Sequence, residues 1–174
     1  ITFSDPNLIN KKTAIANRSK NNKIEYLIIT PEKFFPYASS LAEMHSNEVD
    51  ASIQLKTEVV TTAEISSNIT GLKIREYIIN RINSDLRNDG FLLLLGNEND
   101  IPPIYDYHNN YPSDDFYSTD SAGLYSGKSQ LKSGRIPIEN QNDAEIIIEK
   151  IRNYALDLEP GIWRSKIALI ADDN

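Results

Sequence analysis

Apolar positions follow two rhythms along the chain, short continuous runs and stripes spaced three or four residues apart, and the two rhythms alternate. Ile24 to Ile29 is a mostly apolar run rich in β-branched residues, which predicts a strand buried on both faces of a parallel sheet. Thr30, Pro31 and Glu32 read as a helix start, with a hydroxyl cap, a proline where no N–H partner is needed and an early carboxylate near the positive dipole end. Pro36 moves the alternative start toward Phe35. Tyr37, Leu41 and Met44, with Ala38 and Ala42 beside them, give that helix an apolar stripe.

Leu55 to Thr61 alternates and is rich in Thr and Val, predicting a second, less buried strand. Ile74, Tyr77, Ile78 and Ile82 trace a second helical face, beginning after Thr70 and ending near the Asn88, Asp89, Gly90 break. Phe91 to Leu95 is continuous and apolar and ends at Gly96, as expected of a central parallel strand whose carboxyl end opens onto a functional rim. From Asn97 to Ser133 the pattern dissolves into Pro, Tyr, Asn, Asp, Ser and Gly, predicting a functional loop or an excursion with its own short strands. Gly134 to Ile138 is a short strand that Pro137 places at an edge or a strand end. Asn142 and Asp143 precede a helix carrying Ala144, Ile147, Ile148, Ile151 and Tyr154, and Lys166 to Ala171 is a last strand that runs into Asp172 and Asp173. Strands and helices alternating at these spacings predict right-handed crossovers and a three-layer α/β sandwich on a mainly parallel sheet. Residues 1–23, polar and without period, read as a linker or irregular arm, leaving 24–174 as the domain.

Composition narrows the function. With 40% hydrophobic and 25% charged residues the chain has ordinary globular usage. The run Phe91 to Leu95 falls far short of the roughly 18 residues of a membrane span, and no basic stretch precedes an apolar core at the amino terminus. Membrane insertion is therefore not expected. A net charge of −7 with scattered Lys and Arg argues against nucleic acid as a partner. The chain contains no cysteine, which rules out disulfides, thiolate metal sites and a cysteine nucleophile within these residues.

Candidate chemistry is sparse. The two histidines, His45 and His108, have no neighbour at metal-ligand spacing; His45 belongs near a helix end and His108 in the long loop beside Asp106. Gly96 lacks the glycine partners of a phosphate loop. Asp114, Asp115 and Asp120 crowd one stretch with Ser113, Ser118, Thr119 and Ser121. They read either as a calcium site or as a solvated loop whose side chains cap turns, the spacing departing from the calcium-loop pattern. Asp172 and Asp173 follow a strand directly, where side chains face ligands or cap a following helix. Trp163 with Arg164 reads as a packing anchor and its solvated neighbour.

Several segments, taken in order, resemble the amino-terminal half of the catalytic domain of the gingipain family of caspase-like cysteine peptidases. They are Tyr26 to Phe34, Lys56 to Val60, Leu92 to Pro102, Ser113 to Tyr117, Gly134 to Ile138, Lys150 to Tyr154 and Trp163 to Asp173. The Ser113 to Tyr117 and Trp163-Arg164 segments are also similar to the sortase-like member of the type IX secretion machinery. The resemblance implies a secreted or bacterial cell-surface parent enzyme whose Cys and His lie downstream of Asn174, leaving these residues as scaffold and substrate-pocket wall. It further implies calcium-stabilised loops, a pocket role for Asp172 or Asp173, and a protein or peptide substrate bound together with the carboxyl-terminal half. Two other readings remain, part of a sortase-like transpeptidase, and a flavodoxin-like module with a ligand at Gly96 or Asp172.

Overall fold

The computed structural model describes residues 23–47, 54–106, 111–119 and 128–156, with Gly161 and Lys166. Within them the chain forms β1 (Ile24–Thr30), a 3-10 turn (Glu32–Phe34), α1 (Phe35–Ser46), β2 (Thr57–Thr61), α2 (Thr62–Ile65), α3 (Gly71–Ser84) and β3 (Leu86–Leu95). A two-stranded excursion, β4 (Ile104–Asp106) and β5 (Tyr111–Ser113), precedes a 3-10 turn (Asp115–Tyr117), β6 (Lys132–Ile136) and α4 (Gln141–Leu156). Four strands form one parallel sheet in the order β2-β1-β3-β6.

The continuous apolar runs are explained by burial on both faces. Leu27, Ile29, Leu92 and Leu94 point to the layer made by Ile74, Ile78 and Ile82 of α3, together with Ile101, Ile104, Phe116 and Tyr117 from the long excursion. Ile28, Leu93 and Leu95 point the other way, against Ala38, Leu41 and Ala42 of α1 and Ala144 and Ile148 of α4. The alternation is the period-2 pleat, and each fully buried aliphatic side chain contributes about 1.5–3 kcal/mol. The result is the expected three-layer α/β sandwich, with part of one outer layer built from the long excursion.

Local details depart from expectation. Thr30 is the last residue of β1 and caps nothing; its hydroxyl donates to the Leu95 carbonyl at 2.9 Å. The helix proper begins at Phe35, with Pro36 in the first turn where its missing N–H costs no bond. Asn88, Asp89 and Gly90 do not end α3, which closes at Ser84, but sit inside β3. Asp89 has φ 72° and the β1–β3 register shifts between Ile24 and Tyr26, so the polar triplet is an irregularity in the strand. Gly90 is required there, because a Cβ would lie 2.8 Å from the Glu25 carbonyl oxygen. α4 begins at Gln141, before Asn142, and is capped by Asn140, the Asn140 Oδ1 accepting from the Asp143 N–H at 3.0 Å and its Nδ2 donating to the Asp143 carboxylate at 2.8 Å.

Candidate functional site

Parallel strands bring Thr30, Leu95 and Ile136 to the same end of the sheet. The chain leaves β1 for β2 on one side and returns as β3 on the other, so the carboxyl ends of β1 and β3 form the topological switch point at which open α/β sheets bind ligands. Here that crevice is closed by the protein itself. Gly96, at φ 153°, donates its N–H to the Ile136 carbonyl at 3.0 Å, and a Cβ on it would lie 3.2 Å from Pro31 Cδ and 3.3 Å from Ile101 Cδ1. Only glycine holds that backbone without strain.

The next turn is equally fixed. Asn97 Oδ1 accepts the N–H groups of Asn99 and Asp100 at 3.0 and 3.2 Å, the Ile101 N–H donates to the Asn97 carbonyl at 2.9 Å, and Lys33 pairs with Asp100 at 2.8 Å. Arg135, on β6, reaches back over the turn. Its Nε and Nη2 donate to Asp114 Oδ2 and Oδ1 at 2.6 and 2.8 Å, Nη1 donates to the Gly96 carbonyl at 2.9 Å, and Nη2 to the Ile101 carbonyl at 2.9 Å. Burial lowers the guanidinium pKa, but the hydrogen bonds and charge of Asp114, with smaller contributions from Tyr117 and Glu98, together more than offset it, so Arg135 stays charged. Tyr117, fully buried, donates its hydroxyl to the Pro102 carbonyl, and burial raises its pKa well above the usual phenol value. Beyond the turn the β4–β5 hairpin carries Tyr105 and Tyr111 at the surface.

Among the described residues, Arg135, Asn97, Tyr117 and Lys33 of this rim make internal bonds, while Asp100 Oδ2 is buried without a hydrogen-bond partner. His45 is elsewhere, in the last turn of α1 and edge-to-face with the Tyr26 ring at 5.3 Å, near the start of β1. A groove of about 480 Å³ lies beside it, lined by Tyr26, Leu55, Phe91, Leu93 and Lys132. The groove is mainly apolar, and the Lys132 ammonium is already held by the Asp89 carbonyl at 2.9 Å and by the Phe91 ring.

Among the sequence-predicted site residues, Asp114 and Asp115 lie at the rim. The Asp115 side chain is exposed, and its N–H donates to Ser113 Oγ at 3.1 Å. Asp120, Asp172, Asp173, His108, Trp163 and Arg164 lie outside the described residues. Calcium needs about six to eight oxygen ligands. Both Asp114 oxygens are instead taken by a cation, and among the described residues no group of three or more His, Cys, Asp or Glu side chains converges. Asp120, the third carboxylate of that stretch, lies outside the described residues. Arg135, Lys33 and Asp100 were not singled out by sequence, and Thr30 only as a helix cap, since nothing local marks a residue whose partners lie 21 to 67 positions away.

A parallel sheet between helical layers, with its carboxyl-end rim built from a long excursion, defines a three-layer α/β sandwich. The sequence profile of peptidase family C25 matches residues 19–174, and the chain belongs to that gingipain-like family of cysteine peptidases. The fold is similar to the crystal structure of the Arg specific cysteine proteinase gingipain R, with a TM-score of 0.61, 20% identity and coverage of 78% of this chain and 29% of that one. It is also similar to dimeric latent PorU from Porphyromonas gingivalis, with a TM-score of 0.63, 18% identity and coverage of 83% and 17%. An uncharacterized protein of Archaeoglobus fulgidus is 24% identical over 156 residues, 78% of this chain and 36% of that protein. The chain thus spans well under half the length of these relatives.

Proposed function

We propose that the chain is the amino-terminal, non-catalytic portion of the peptidase domain of a secreted or cell-surface gingipain-like cysteine endopeptidase. Residues 24–174 serve as scaffold and as a wall of the substrate pocket, with residues 1–23 leading into them. One observation carries this reading. The family match runs from residue 19 to 174, yet that stretch contains no cysteine, so a thiolate nucleophile has to come from outside it. The closed, internally bonded rim supports the wall role, because the carboxyl ends of the strands are where the reacting half would meet this one.

The test is peptide hydrolysis by the full-length protein. Release of free peptides, abolished by thiol alkylation, is expected. Products joined to an acceptor amine in place of free peptides would favour a sortase-like transpeptidase and overturn the endopeptidase reading.

A further inference from the structure

Arg135 ties together three stretches that the sequence keeps far apart: Asp114, 21 residues before it, and the carbonyls of Gly96 and Ile101, 39 and 34 residues before it. The side chains of Arg135 and Asp114 are 15% and 30% exposed, so water competes only partly with the pair. Bidentate pairing fixes the plane of the guanidinium as well as its position. With the plane fixed, the remaining donors meet the two carbonyls that begin and end the Gly96–Ile101 turn. A guanidinium committed in this way has little capacity left for a ligand carboxylate or phosphate.

We propose that Asp114 and Arg135 form a positioning latch that holds the Gly96–Ile101 turn in one conformation, and that this turn sets how tightly the peptidase holds its peptide substrate. The second clause rests on the wall role proposed above; the first stands on the hydrogen bonds alone. Neither residue is catalytic. Lysine keeps the charge but cannot make the fork, so Arg135→Lys separates latch geometry from simple charge.

The experiment uses full-length wild type, Arg135→Lys and Asp114→Asn, with hydrogen exchange read by mass spectrometry. Kinetics are measured on the fluorogenic peptide that the wild type cleaves fastest from a library. Loss of the fork should speed exchange in the segment holding the Gly96 and Ile101 amides by about tenfold, while β1 exchanges as in wild type. In both variants KM should rise about three- to tenfold with kcat within about twofold, since a displaced wall weakens binding more than chemistry. Unchanged exchange in the turn would overturn the latch. Faster exchange with kcat falling and KM unchanged would overturn its role in substrate affinity. If the wild type cleaves no peptide, the wall reading fails while the exchange data still decide the latch. Calcium alone raising the Tm of wild type but not of Asp114→Asn would make Asp114 a metal ligand and remove the proposal.

Discussion

Gly71→Ala tests how closely the rim loop sits on the helical layer. Gly71 opens α3 immediately after its cap, Thr70, whose hydroxyl accepts the Lys73 N–H at 3.3 Å. Alanine is ordinarily the better helix residue by about 1 kcal/mol. Here a Cβ would lie 2.8 Å from the Pro102 carbonyl oxygen, 2.9 Å from Ile104 Cγ1 and 3.0 Å from the Pro103 carbonyl oxygen. Two of the three are backbone atoms, which cannot rotate aside. Overpacking costs about 1–3 kcal/mol, and rigid backbone contacts place this site in the upper part of that range, about 2–3 kcal/mol, which less the propensity gain leaves a net loss of about 1–2 kcal/mol. For a chain of this size the Tm should fall by roughly 2–8 °C. Gly134→Ala is the internal control. It lies in β6 with no atom of the described residues within 4 Å of the added Cβ, and it should leave stability unchanged or raise it by up to about 1 kcal/mol through reduced freedom of the unfolded chain. Thermal unfolding followed by circular dichroism measures both. A Tm for Gly71→Ala equal to or above wild type would refute the close approach of loop and helix.

Other substitutions probe the layers and the ion pairs. Leu94→Ala empties a fully buried site near the carboxyl end of β3 and should cost about 2–5 kcal/mol in denaturant unfolding. Arg81→Met leaves the Glu58 carboxylate, held at 2.6 Å by each of two guanidinium nitrogens, without a partner. Because Arg81 and Glu58 are 16% and 31% exposed, the cost should be about 1–3 kcal/mol, recovered in part by adding Glu58→Gln. Thr61→Ala breaks the capping box of α2 and should cost about 0.5–2 kcal/mol. Glu64 in that box has its pKa lowered by the Thr61 N–H and then by the Thr61 hydroxyl. A lowered carboxylate stabilises the fold fully above its ordinary pKa, and that contribution is lost as pH falls through the folded value. Glu64→Gln should therefore flatten the acid limb of a Tm-against-pH curve below about pH 4 and leave its neutral part parallel to wild type.

The sheet was legible because burial on both faces of β1 and β3 demands uninterrupted apolar residues, and Leu27 to Ile29 and Phe91 to Leu95 supply them. What failed were readings in which one local signal has two uses. Thr30 followed by Pro31 and Glu32 has the chemistry of a helix cap, but its hydroxyl partner is the Leu95 carbonyl, 65 residues on. Asn88, Asp89 and Gly90 are turn formers, and a turn and a strand irregularity both draw on residues that tolerate positive φ. The capping box of Thr61 and Glu64 was a visible signal for α2 that went unread. At the rim, sequence showed crowded carboxylates, readable as a calcium site or as a solvated loop. The cation facing Asp114 is a guanidinium from β6, and no pattern within the loop could reveal it.

Thiol dependence of peptide cleavage by the full-length protein is the most direct test of the account. If these residues are scaffold and wall for a cysteine peptidase, the protein releases free peptides and loses that activity on alkylation with iodoacetamide, although residues 1–174 offer no thiol to react. Peptide cleavage that survives complete alkylation would contradict it.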